Sequence, residues 1–458
     1  MRTKLTIYIV VAVLAVAGLV AGIVAVAGAG SAAPLLTVSA PDLLANMAQQ
    51  DQKATSLSGK VSWQNNLLGD LSALTGSTMG ASAQLPLAAN GSGRIWMSAD
   101  GVRIESQASG GDQTIVVNSA ARDAWLYDYA ANTAKHIVPT GTPPAGGTPT
   151  PMPSPTMATP AAIESFLQQL APNAGVSVTG QGVVAGREVY FLTMTPTAPD
   201  TALGSVQAAI DGQTYVPLQL QVTAKGGTSP VLQFGFTSVT YDAVPASTYD
   251  FTPPAGTTVT TKTVDLSQTT QSQSGATSGQ QTEPTKSQVQ DALHSAMLTI
   301  PEAQKLVPFQ LSSAQGYAAR PFDWAVVVDN GSPLDALNQP IMNLLGATGM
   351  GGFGSGTAGS TAGATSSTTG PTTVLLYGKG LGTIALAETA TTPALQKQLQ
   401  QLPALVDKTS VNGATVRSLT TPLGGVFVWQ QGDTTLVAAG MVPAADLQAF
   451  VSSVSLTH

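Results

Sequence analysis

The side chains best able to do bond-making chemistry are few. The chain holds three histidines, His136, His294 and His458, the last being its final residue. A metal site needs three or four converging ligands, and a general base needs a nucleophile or second acid within reach. The three imidazoles lie in separate segments, and no such partner stands near His136 in the sequence. There is no cysteine, which removes disulfides, thiolate metal sites, a cysteine nucleophile and a lipidated N-terminal cysteine. Gly349-Met350-Gly351-Gly352-Phe353-Gly354 has the glycine density of a phosphate loop, but it follows no strand and no Lys-Ser/Thr pair closes it. Asp-rich calcium loops are absent too. The reading is of a protein that is not an enzyme and uses no cofactor or metal.

What these residues can do is hold something apolar. Trp63, Ile95, Met97, Ile115, Val117, Trp125, Tyr127 and Tyr129 are read as one apolar and aromatic sheet surface, with Val61, Val102 and Ile104 as further candidate ligand-binding positions. The sequence leaves open which strand parity faces the ligand, because a slip of one residue exchanges the two faces.

The element that positions them runs from Gly93 to Val138. Five short apolar runs recur about every 10 residues, separated by breaks such as Ser98-Ala99-Asp100-Gly101, which is the pattern of an antiparallel meander. A strand over Ser56–Gln64 precedes it, and 66–92 reads as a long flap. Further strands are predicted at Val176–Thr179, Val183–Thr195, Ser205–Ile210, Leu218–Ala224 and Val231–Tyr241. Helices are predicted at Asp42–Lys53, opened by the capping box Ser39-Ala40-Pro41-Asp42, and at Ala161–Leu170. Each is only ~15 Å long, so two such helices should cover a wide sheet incompletely and leave an apolar cleft. Pro139–Pro160, dense in proline, excludes helix and sheet.

Composition fits this picture. Charged residues make up 9% of 458 and the net charge is -7, so nothing marks a nucleic-acid partner. Met1-Arg2-Thr3-Lys4 is basic, and Leu5–Gly30 carries no charge. That is long enough, at ~20 residues, for a single membrane helix with everything after it outside the cytoplasm. Small-residue triplets at 27–29 and 31–33 leave a cleaved, secreted form open. The division is 1–33 anchor, 34–262 sheet domain, 263–288 flexible Ser/Thr/Gln linker, and 289–458 second domain with a Gly/Ser/Thr insertion at 346–370. Strands in the second domain are expected at Trp324–Val328, Thr373–Tyr377, Gly382–Glu388, Ala414–Leu419, Gly425–Gln430 and Thr434–Ala439. Its expected helices are Ser287–Met297, Ala394–Leu402 and Ala444–Val454.

Residues 41–259 resemble the LolA-like bacterial envelope proteins. The matching stretches are PDLLANMAQQDQKATSLSGKV, RIWMSADGVRIES, DAWLYDYAANTAKHI, AAIDGQTYVPLQLQVTAKG and YDFTPPAGTTV. The resemblance implies an α+β fold: a curved antiparallel half-barrel closed by short helices around a cavity for lipid or lipoprotein acyl chains. It adds Leu218 and Leu220, after Pro217, to the ligand-binding positions. GKGLGTIALAET, NGATVRSL and GVFVWQQGDTTLVAAGMVPAADLQAFVSSV are similar to the smaller α+β domain of RseB-type regulators. That likeness implies an anti-sigma factor as partner. A membrane anchor departs from the freely diffusing carriers and favours a local handler or sensor.

Overall fold

A computed structural model describes residues 35–50, 56–67, 90–108, 111–140, 168, 171–265, 297–314, 317–328, 370–400, 407–411 and 413–456. The expected membrane helix, most of the 66–92 flap, the proline-rich loop beyond 140 and the Ala161–Leu170 helix, save for residue 168, lie outside them. So do the linker beyond 265, the helix 287–296, the insertion 346–369, the glycine cluster 349–354, His294 and His458. Among the described residues no helix is long and apolar enough to cross a membrane. The chain divides into one unit of Met1–Thr195, Ser205–Thr223 and Thr228–Gly279, and a second of Pro196–Gly204, Ala224–Gly227 and Gln280–His458.

The first unit is built on α1 (Ala40–Gln50) and twelve strands: β1 (Leu57–Asn65), β2 (Gly91–Ser98), β3 (Gly101–Ala108), β4 (Gln113–Asn118), β5 (Asp123–Asp128), β6 (Thr133–Thr140), β7 (Ala174–Val184), β8 (Arg187–Pro196), β9 (Leu203–Asp211), β10 (Pro217–Ala224), β11 (Pro230–Thr240) and β12 (Thr258–Asp265). They form one open sheet in the order β12-β6-β5-β4-β3-β2-β1-β11-β10-β9-β8-β7. The meander β2–β6 pairs antiparallel as its periodicity predicts. Ser39 caps α1, accepting from the Asp42 N–H at 3.3 Å.

Three features depart from the expected pattern. The predicted run Val183–Thr195 is broken by a two-residue turn at Ala185-Gly186, with φ of 53° and 76°. Positive φ at both positions is what a tight hairpin turn needs, and only the glycine announced it. β6 continues through Pro139 to Thr140. β12 was not foreseen, and it pairs parallel with β6 (Thr258 with Thr133 through Asp265 with Thr140).

The second unit holds β13 (Ser312–Ser313), β14 (Phe322–Val328), β15 (Thr372–Tyr377), β16 (Ile384–Ala390), β17 (Asp407–Val411), β18 (Ala414–Thr421), β19 (Gly424–Gln431), β20 (Thr434–Gly440) and β21 (Ser455–Leu456), with α2 (Ile300–Gln304), α3 (Pro393–Gln400) and α4 (Ala444–Ser453). Seven strands make an antiparallel sheet ordered β14-β15-β16-β20-β19-β18-β17, and β13 pairs with β21. One face packs Leu386, Phe427 and Leu436 against Ala303 of α2 and Leu447 and Phe450 of α4. The fold is mostly β-sheet with few helices, and neither large sheet closes.

Candidate functional site: the apolar face of the twelve-stranded sheet

Strand register sorts the candidate residues by face, since directly paired residues point the same way. Leu57, Met97, Val102 and Val117 form one cross-strand row. Ile95, Ile104 and Ile115 form the next, continuing to Leu126. Val61 pairs with Phe236, and Trp63 with Phe234. Leu220 lies opposite Phe234, and Leu218 packs in the same cluster as Val61, Trp63, Ile95 and Phe236. Ten of the thirteen sequence-selected residues therefore share one face: Val61, Trp63, Ile95, Met97, Val102, Ile104, Ile115, Val117, Leu218 and Leu220.

The other three do not. Trp125 pairs with Val116 and Tyr127 with Thr114, which puts both rings on the reverse face. Tyr129 joins them there, its ring 4.6 Å from Tyr127 and its hydroxyl 3.2 Å from Thr114 Oγ1. The expectation of a single surface from Trp63 to Tyr129 is thus corrected: the alternation inside β5 is real, but its aromatic parity faces away. Those rings seat the chain that follows β11. Val244, Tyr249 and Phe251 pack on Val116, Trp96 and Trp125, and Asn118 Nδ2 donates to Tyr249 O. Trp125 also stacks on His136 at 3.8 Å, and His136 Nε2 lies 3.0 Å from Asp123 Oδ2. The one histidine among the described residues is therefore part of this packing, with the Asp123 carboxylate beside it.

The lid is corrected as well. Leu43 and Met47 of α1 pack on Tyr190, Leu192 and Ile210. In β8 these alternate with Val189 and Phe191, which belong to the Trp63 cluster. So α1 covers the reverse face of β8–β9 rather than the face carrying Trp63.

The Trp63 face fills its centre with rings laid over glycines. A Cβ on Gly91 would collide with the Trp63 indole, and one on Gly59 would come 2.7 Å from Phe236 Cδ1. Phe234 and Phe236 went unselected, although Leu232, Phe234 and Phe236 alternate visibly in the sequence. Away from this centre burial is uneven, and Val102 and Val117 stay buried. Ile104 and Ile115 are half-buried, and Ile137, on the row of Val102 and Val117, is 40% exposed.

One end of the face carries a buried polar cluster that sequence reasoning missed. Asp211, with no exposure, accepts from Arg187 Nε at 2.7 Å and Nη2 at 3.1 Å, from the Gln213 and Thr214 N–H groups at 2.8 and 3.0 Å, and from the Tyr241 hydroxyl at 3.1 Å. Burial pushes its carboxyl up, but the Arg187 guanidinium and the two N–H groups outweigh burial and hold it below the ordinary carboxylate value. Burial pushes the Tyr241 hydroxyl up to about 12. Only Asp211-Gly212 signalled this place in the sequence, as a turn. Among the described residues no cluster of three or more His, Asp or Glu could hold a metal ion.

No family model and no curated protein matches the chain. Solved structures are similar to it. A MucA/MucB complex of Pseudomonas aeruginosa aligns at 14% identity over 91% of this chain and 99% of that one, with a TM-score of 0.36. A structure of MucB in complex with MucA(peri) aligns at 15% identity over 91% and 97%, with a TM-score of 0.35. A LolA superfamily protein of Nitrosomonas europaea aligns at 9% identity over 47% and 99%, with a TM-score of 0.18.

Proposed function

We propose that the chain is a non-catalytic envelope protein that holds lipid or lipoprotein acyl chains against the Trp63 face of its first unit. The observation that supports this is uneven burial along one largely apolar face, on which Val102 and Val117 are buried as well. Leu57, Val61, Trp63, Ile95 and Leu218 are sealed at its centre, while Ile104 and Ile115 are half-buried and Ile137 is exposed. Each methylene placed there contributes about 0.8 kcal/mol, so an acyl chain needs no directed polar contact. The basic start and the uncharged Leu5–Gly30 support a location outside the cytoplasm, tethered to the membrane or released by cleavage. To test it, the full chain is purified and its co-purifying lipid identified by mass spectrometry, followed by displacement of a fluorescent fatty acid. Lipid bound in stoichiometric amount is expected. An empty protein that ignores the probe overturns the reading.

A second reading follows from the RseB-type likeness of GVFVWQQGDTTLVAAG and its neighbours: the chain binds the external part of an anti-sigma factor and lipid alters that binding. Capture from membranes that disappears on deleting 289–458 would favour it, and capture indifferent to that deletion would remove it.

A further inference from the structure

Glu388 sits mid-strand in β16 with no exposure, between Thr373 of β15 and Leu436 of β20, which are equally sealed. Among the described residues no cation pairs with it. Its carboxyl oxygens accept from the Ser312 N–H at 2.9 and 3.2 Å. Thr373 Oγ1, on the same face, has no hydrogen-bond partner among the described residues. Ser312 opens β13, a two-residue strand held by an equally short strand, β21, near the C-terminus. A carboxylate without a cation in such a place is costly. Its cheapest relief is water, and the cover in direct contact with its oxygens is β13.

We propose that Glu388 is a pH-operated clasp: protonated, it lets β13 and β21 close over the second unit's sheet, and ionised, it opens them. The electrostatics agree in direction. Burial lifts its carboxyl from the ordinary 4.5 to about 8, and the Ser312 N–H offsets this only in part. Tyr377 of β15 interacts with it, and burial keeps that hydroxyl neutral up to about 12. The folded state therefore binds the proton that the opened state releases. Closure is fully favoured below pH 4.5 and weakens as pH rises to about 8.

The experiment is hydrogen exchange on the full chain between pH 5 and 9, each amide rate divided by its intrinsic rate at that pH. Protection at Ser312 and Ser455 is expected to fall roughly tenfold per pH unit up to about 8 and then level off. Amides of β16 and β20 should stay protected, and Glu388→Gln should flatten the profile at 312 and 455. Flat protection in the wild-type chain overturns the clasp. So does a fall shared equally by β16 and β20, which needs no variant to be seen, or an unchanged fall in Glu388→Gln.

Discussion

Removing one partner of the Arg187–Asp211 pair should cost different amounts according to which partner goes. Asp211 has no exposure, while the Arg187 side chain keeps 28% of its own. In Asp211→Asn the guanidinium can turn to water, so the loss is the lower end of the range for breaking a buried pair, about 3 kcal/mol. In Arg187→Met the carboxylate stays sealed, with two backbone N–H groups and the Tyr241 hydroxyl as donors. The loss there should be nearer 5 kcal/mol. The carboxyl should also rise toward or above its ordinary value, since the guanidinium is what holds it down. Replacing both, as Arg187→Met with Asp211→Leu, should cost less than Arg187→Met alone, because no charge is left buried. For a unit of this size each kcal/mol moves the midpoint by about 2–4 °C. Calorimetry of the full chain, following the transition of the first unit, reads all three variants. The depressed carboxyl also fixes a pH signature: the pair's stability is present at neutral pH and lost as pH falls below the ordinary carboxylate value of 3.8. A double variant worse than either single one, or Asp211→Asn worse than Arg187→Met, would refute the reasoning.

Ile104→Glu should weaken binding of a fluorescent fatty acid at least tenfold with the far-ultraviolet circular dichroism unchanged. Trp125→Ala, on the reverse face, should leave affinity alone while destabilising by about 2 kcal/mol through the lost contacts with Phe251 and His136; equal effects on affinity would undo the assignment of faces. Gly91→Val should destabilise by about 1–3 kcal/mol in a urea titration, since the Trp63 indole occupies the place of the new side chain. Thr299→Ala should remove the capping box with Glu302 (Thr299 N–H to Oε2 2.8 Å) at a cost of about 1 kcal/mol, read from the second unit's transition.

Much of the first unit was legible because its strands alternate. The period of two in Val102–Glu105 and Trp125–Tyr129 announces strands wherever they pair. What it cannot announce is how the alternation of one strand lines up with the next. Trp125 shares its face with Val116 rather than Val117 because Val116 is its directly opposed neighbour, and pairing is decided by turns and tertiary contacts. The same blindness hid α1's choice of face: Leu43 and Met47 mark an apolar stripe but not its destination. The Asp211 cluster joins residues from three distant segments, and no local pattern encodes such a meeting. β12 escaped because TVTTKTVD carries little apolar signal, and an edge strand needs little.

That last strand has a consequence for the architecture as a whole. The chain leaves β11, crosses beneath the meander through Val244–Phe251 and attaches β12 alongside β6. The strands that come first in the sequence, β1 to β6, are therefore gripped at both margins by β11 and β12, the last strands of the first unit. A cut in the connection between β6 and β7 should leave two fragments that stay assembled, and in a growing chain the outer edge of β6 lacks its partner β12 until residue 265 has emerged.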